Sequence, residues 1–174
     1  FLIYDTDGDG STELYLSEKN KTHLNLTQKN GTPLRNHDAL TISYDSKPYK
    51  TEEGVNGSWS FYAAPNSNAQ NFNKENYLGV RESTTHMDVQ SWKNTTGTRL
   101  PYISKDTTDY QNQWRHIDLV IDGEKTTLYI NGVEQDEIRS CHSLADIVTQ
   151  SVDGGSASGI AQIGKVNWGN GEYY

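Results

Sequence analysis

Three carboxylates at alternate positions, Asp5-Thr-Asp7-Gly-Asp9, followed by Gly10, are the part of this chain best suited to hold a metal. Oxygens spaced this way on a glycine-bent loop converge on one hard cation, and the pattern is the first half of a Ca2+ loop. Where a bidentate Glu would close that loop stands Leu16, with Glu13 and Glu18 close by in sequence. The run reads either as a weak calcium site built by Asp5, Asp7 and Asp9 or as a solvated acidic turn.

A second kind of chemistry is carried by tryptophan. In the stretch Met87-Asp-Val-Gln-Ser-Trp92, the residues Met87, Val89 and Ser91 fall on one face of a strand, which leaves Asp88, Gln90 and Trp92 on the other. If the first face is buried, the indole is open beside amide and hydroxyl groups, a combination that suits the apolar face of a sugar ring. Trp168, in Asn167-Trp-Gly-Asn-Gly, is a second such ring on a glycine-rich loop, and Asn94, Arg99 and Asn167 can supply hydrogen bonds beside the two. Each indole also reads as a ring partly buried beneath a loop.

Catalytic signals are weaker. Glycoside hydrolysis needs two carboxylates facing one cleft. The adjacent pairs Glu52-Glu53 and Asp136-Glu137 send their side chains to opposite faces of any strand. His116 and Asp118 share a face, but the sequence places no serine or cysteine beside them for activation. Trp114, at the mouth of the same strand, reads as a packing anchor.

These groups must be positioned by strands. Ile117, Leu119 and Ile121 alternate with His116, Asp118 and Asp122, and Leu128 and Ile130 alternate with Thr127, Tyr129 and Asn131, the period of half-buried antiparallel strands. Asn131-Gly132 is the preferred pair of a type I′ hairpin turn. Shorter runs of the same kind occur at Phe1–Tyr4, Leu14–Leu16, Leu24–Leu26, Leu40–Tyr44, Ser58–Ala63, Leu78–Val80 and Met87–Val89. Only Ser143–Gln150 has helical spacing, so the expected fold is an all-β, two-sheet antiparallel sandwich with one short helix.

The chain has 174 residues and a formal charge of −8, with eleven tyrosines and four tryptophans against one methionine. One domain over residues 1–174 is expected. The acidic charge repels phosphate backbones and anionic lipid, and no apolar run is long enough to span a bilayer, so neither nucleic acid nor membrane is an expected partner. The single cysteine, Cys141, cannot form an internal disulfide.

The order tryptophan, histidine, alternating aliphatics, turn and Asn-Gly over Trp114–Gly132 resembles the laminin-G-like jelly-roll domains of the concanavalin A-like superfamily. Leu40-Thr-Ile-Ser-Tyr44, Gly57-Ser-Trp-Ser-Phe-Tyr62 and Ala161-Gln-Ile-Gly164 agree with that pattern in order and spacing. Tyr62-Ala-Ala-Pro-Asn66 and the run from Ile163 to Tyr173 are similar to accessory modules of secreted bacterial glycoside hydrolases.

The resemblance implies a jelly-roll fold, a structural calcium, and His116 as a strand residue without catalytic duty. Family members continue past the position of Tyr174 into a further strand, so a fragment of a larger multidomain secreted protein is expected. The expected function is a non-catalytic carbohydrate-binding module that targets a secreted or cell-surface glycoside hydrolase to polysaccharide or host glycan, with a neighbouring catalytic domain in the same polypeptide. The alternatives are a structural or adhesive spacer packed on that neighbour and, less favoured, a glycoside hydrolase.

Overall fold

The computed structural model describes residues 2–4, 10, 13–15, 23–26, 39–47, 58–64, 77–83, 85–93, 98–99, 103–110, 112–123, 125–138 and 160–164, of which 2–4, 13–15, 25, 58, 91–93, 98–99, 138 and 160 are described by their backbone alone. The expected helix at Ser143–Gln150 lies outside these residues. Within them the chain is β throughout, apart from one 3₁₀ turn at Thr108–Tyr110.

The strands are β1 (Leu2–Tyr4), β2 (Glu13–Tyr15), β3 (Leu24–Asn25), β4 (Ala39–Ser46), β5 (Ser58–Ala64), β6 (Tyr77–Glu82) and β7 (His86–Lys93). They continue with β8 (Thr98–Arg99), β9 (Ile103–Asp106), β10 (Arg115–Asp122), β11 (Lys125–Ile130), β12 (Val133–Ile138) and β13 (Ile160–Ile163).

The smaller sheet has four strands in the order β12-β11-β10-β4. Its centre is the hairpin anticipated from Trp114–Gly132, with Ile117 opposite Ile130 and Leu119 opposite Leu128. The Asn-Gly turn has the expected geometry: Asn131 at φ 52° and Gly132 at φ 75° are the two positive angles that a type I′ turn requires.

The larger sheet runs β3-β13-β5-β6-β7, and the far side of β7 is shared by β8 and β9. A separate two-stranded pair, β1 with β2, brackets the acidic loop.

The two sheets bury one core. Phe61, Ala63, Leu78, Val80, Met87, Val89, Ile103 and Ala161 meet Ile117, Leu119, Ile121, Leu128 and Ile130 across it. Burying each of the larger aliphatic side chains stabilises the sandwich by about 1.5–3 kcal/mol.

At one end of the interior the sheets are joined by polar bonds. The Glu82 carboxylate, from β6, accepts from Tyr44 Oη and Ser46 Oγ of β4 at 2.7 Å each, from Ser60 Oγ of β5, and from Arg115 Nη2 of β10 at 2.6 Å. Burial and the neighbouring carboxylate push the Tyr44 hydroxyl well above the usual phenol range, so it remains a donor at any physiological pH.

Strand β5 departs from simple alternation. A bulge between Trp59 and Phe61 inserts Ser60, and Trp59 crosses to the face opposite Phe61 and Ala63, beside Gly79 and Tyr77. The sequence period had placed Trp59 with Phe61.

Candidate functional site

The outer face of the larger sheet carries a row of aromatic, amide and charged groups. Because Leu78 and Val80 face the core, Tyr77, Gly79 and Arg81 of β6 face outward, and Asp88 and Gln90 of β7 do the same opposite Arg81 and Gly79. Tyr62 of β5 stacks on Tyr77 with ring centroids 5.8 Å apart, Trp59 meets Tyr77 edge-on at 6.4 Å, and Tyr77 Oη donates to Gln90 Oε1 at 3.0 Å.

This row is closed to solvent. Tyr62, Tyr77 and Trp59 are buried, and Asp88 and Gln90 are only 6% and 7% exposed. Burial of Met87 and Val89 thus does not open the other face of β7 at Asp88 and Gln90, where both faces are covered, while the exposure expected of the Trp92 indole lies outside the described side chains.

The row opens at one end. A pocket of about 260 Å3 is lined by Arg81, Ser83, Thr85, His86 and Asp88 at the β6–β7 hairpin. Arg81 Nε and Nη2 both donate to Asp88 Oδ2, the former at 3.1 Å, and Ser104 Oγ donates to Asp88 Oδ1 at 2.7 Å. The Arg81 side chain is 38% exposed and that of Asp88 only 8%. A buried carboxylate thus fixes a half-exposed guanidinium that lines the pocket.

The Ser83 hydroxyl is engaged in the turn itself, accepting from His86 N at 2.8 Å and donating to His86 O at 3.1 Å. Thr85 Oγ1 lies 3.1 Å from His86 Nδ1. What the pocket offers a ligand is Arg81 N–H, a threonine hydroxyl and an imidazole, a set that matches hydroxyl groups better than apolar ones.

Of the residues singled out from sequence, two are brought together: Trp92 and Arg99 are Cα partners between β7 and β8, and Trp92 is also the partner of Tyr77. Asn94, Asn167, Trp168, Asp5, Asp7 and Asp9 lie outside the described residues. Among the described residues, no group of three His, Cys, Asp or Glu side chains could hold a metal. Arg81 was not singled out, although a turn over Ser83–His86 pairs it with Asp88 by register alone.

Trp114 differs from expectation. The residue is 40% exposed, not a core anchor, and Lys47 Nζ lies 5.8 Å from the centroid of its ring. It precedes the strand that buries Arg115, and the hairpin beyond it supplies the aliphatic anchors instead.

The smaller sheet has its own polar cluster. Register sets Asp45 opposite His116 and Ser43 opposite Asp118. His116 Nδ1 is 2.8 Å from Asp45 Oδ1, while Nε2 is 3.1 Å from Ser43 Oγ and 3.3 Å from Asp118 Oδ1.

The order Ser, His, Asp matches a nucleophile relay, a placement that the sequence alone did not indicate. A base needs a lone pair on Nε2, however, and a carboxylate at each ring nitrogen favours the doubly protonated ring. The hydrogen bond to Asp45, with Asp118 adding its charge, raises the His116 pKa from 6.5.

His116 therefore acts as a clasp between β4 and β10. A group whose pKa rises on folding adds stability that is present below its unfolded pKa and fades as pH rises through the folded value. The Tm advantage of the wild-type chain over His116→Gln is expected to be full at pH 5 and lost by pH 9; an advantage that grows with pH contradicts the clasp.

Two antiparallel sheets packed face to face around one core define the class of β-sandwich domains. This chain belongs to the concanavalin A-like lectin/glucanases superfamily, whose laminin G-like family model matches residues 18–173.

Similar solved structures include the CBM40 of the Ruminococcus gnavus IT-sialidase bound to α2,3-sialyllactose, at 13% identity and TM-score 0.56 over 88% of this chain and 84% of that one. Domain 4 of AbnA, a GH43 extracellular arabinanase from Geobacillus stearothermophilus, in complex with arabinotriose, matches at 15% identity and TM-score 0.52 over 99% and 70%. Domains LG4-5 of the mouse laminin α1 chain match at 12% and 0.51, over 83% of this chain but 32% of that one. At these identities the likeness is one of fold. No curated protein matches the chain by sequence.

Proposed function

We propose that this chain is a non-catalytic carbohydrate-binding module that holds a secreted glycoside hydrolase on polysaccharide or host glycan. The observation that carries the reading is the Arg81–Asp88 pair, fixed at the rim of a pocket that continues an aromatic and amide row. Sugar hydroxyls take Arg81 N–H and the Thr85 hydroxyl, and the buried row of Trp59, Tyr62, Tyr77 and Gln90 is the rigid floor that keeps the pair in place. Trp92 and Arg99, at the far end of β7 beyond the buried row, are the positions proposed for a second contact, with Asn94, Asn167 and Trp168 beside them in the same reading.

Two of the similar structures hold oligosaccharides, which supports the class of ligand without choosing among sugars. A shallow site of this kind binds weakly, and tethering to a catalytic neighbour raises its effective concentration.

Calcium held by Asp5, Asp7 and Asp9 belongs to the same reading. Gly10, at φ 90°, supplies the bend such a loop needs, and the pairing of Tyr4 with Glu13 closes it. When bound, the ion would stiffen the loop by neutralising the three carboxylates.

The test is calorimetric titration with arabinan, xylan, galactan and mucin oligosaccharides, before and after chelation. At least one sugar is expected to bind, and Arg81→Ala is expected to weaken it at least about tenfold, the loss of one or more charge-assisted hydrogen bonds. No binding by any of them, in a folded chain, contradicts the module.

A further inference from the structure

We infer that the pocket at the β6–β7 hairpin selects uncharged sugars and turns away acidic ones, a specificity that rests on the glycan-binding reading above. An exposed arginine in a pocket would ordinarily mark an anion site, and here the surroundings cancel it. The Nε–Nη2 edge of Arg81, one of the edges that grips a carboxylate with two parallel hydrogen bonds, is already occupied by Asp88.

A second carboxylate stands nearby. Asp106 is the Cα partner of His86 and is held in place by Thr108, whose N and Oγ1 donate to Asp106 Oδ1 at 2.8 and 2.6 Å. A ligand anion at Arg81 therefore meets a guanidinium already paired with one carboxylate, with a second carboxylate beyond His86 on β9, in a chain whose formal charge is −8.

Coulomb attraction to Arg81 is offset by repulsion from Asp88, its direct partner, and at longer range by repulsion from Asp106 beside His86. What remains is short-range hydrogen bonding from Arg81 N–H, Thr85 Oγ1 and the His86 ring. Sugar hydroxyls, each both donor and acceptor, satisfy those groups without bringing charge.

The experiment compares arabinotriose, xylotriose and galactotriose with trigalacturonate and sialyllactose on the whole chain, at low and high NaCl. The expected result is binding of at least one neutral trisaccharide, with less than about a twofold change between 50 and 500 mM salt because no ion pair forms with the ligand. Both acidic sugars should bind at least about tenfold more weakly, a difference of 1.4 kcal/mol.

Asp106→Asn, at an exposed position, and Asp88→Asn should each narrow that gap, and the first keeps the test valid if the second fails to fold. Tighter binding of an acidic sugar, weakened by salt, overturns the specificity and leaves the glycan reading standing. A gap unchanged in Asp106→Asn also overturns it. Failure of every sugar to bind removes both.

Discussion

Arg115→Met is expected to cost about 3–5 kcal/mol of folding stability, the usual consequence of leaving one buried charge without its partner. The Arg115 and Glu82 side chains are 1% and 2% exposed, and the guanidinium gives Glu82 two of its hydrogen bonds, at 2.6 and 3.2 Å. Met fills much of the same volume, so the loss reports charge and hydrogen bonding more than packing. Three hydroxyls, of Tyr44, Ser46 and Ser60, also donate to the same carboxylate.

The double variant Arg115→Met with Glu82→Leu should regain only part of the loss, because those hydroxyls then have no common acceptor. Urea denaturation of the wild-type, single and double variants decides the matter. A single-variant loss below about 1 kcal/mol, the scale of a surface pair, contradicts the account.

Gly79→Ala is the second large effect expected. Gly79 sits mid-strand, opposite Tyr62 on β5 and Gln90 on β7, where a glycine ordinarily weakens a sheet. Its reason is close approach: a Cβ there would run into Trp59 Cζ3 and lie 3.0 Å from Cε3.

Trp59 is 4% exposed and braced edge-on by Tyr77, so its ring has little room to retreat. Overpacking of this kind costs about 1–3 kcal/mol. The near-ultraviolet circular dichroism of the tryptophans should change with it, and Gly79→Ala should weaken any glycan that Arg81 binds, since Trp59 and Arg81 are register partners. Wild-type stability together with an unchanged aromatic spectrum contradicts the close packing of this face.

The hairpin from Arg115 to Ile138 was legible because its information is local. Period-two alternation sets the faces, and Asn131-Gly132 sets the turn. The pairing of β4 with β10 joins residues far apart in sequence, yet the alternation of Leu40, Ile42 and Tyr44 already placed that strand's inward face.

Three features were not legible, each for its own reason. The Ser60 bulge is a one-residue insertion, which alternation cannot express and which moves Trp59 to the other side of its sheet. Trp114 reads as core by its size, but its backbone lies just before the strand, where the ring is only partly covered.

The Glu82–Arg115 bond depends on which strands face each other across the sandwich, and the approach of Ser43 to His116 on which strands pair within the smaller sheet, both questions of topology. For the candidate site, alternation placed Asp88 and Gln90 on the face opposite Met87 and Val89 without marking either as a binding residue. It missed Arg81, whose meaning depends on the hairpin register.

The central claim is that the β6–β7 end of the larger sheet's outer face binds glycan. Its most direct test is a titration of the isotopically labelled chain with a neutral oligosaccharide, followed by backbone amide shifts. The account predicts saturable shifts concentrated at Arg81, Ser83, Thr85, His86 and Asp88, spreading along β7 toward Trp92. Shifts centred on His116, Asp118 and Trp114, or none at saturating sugar, would contradict it.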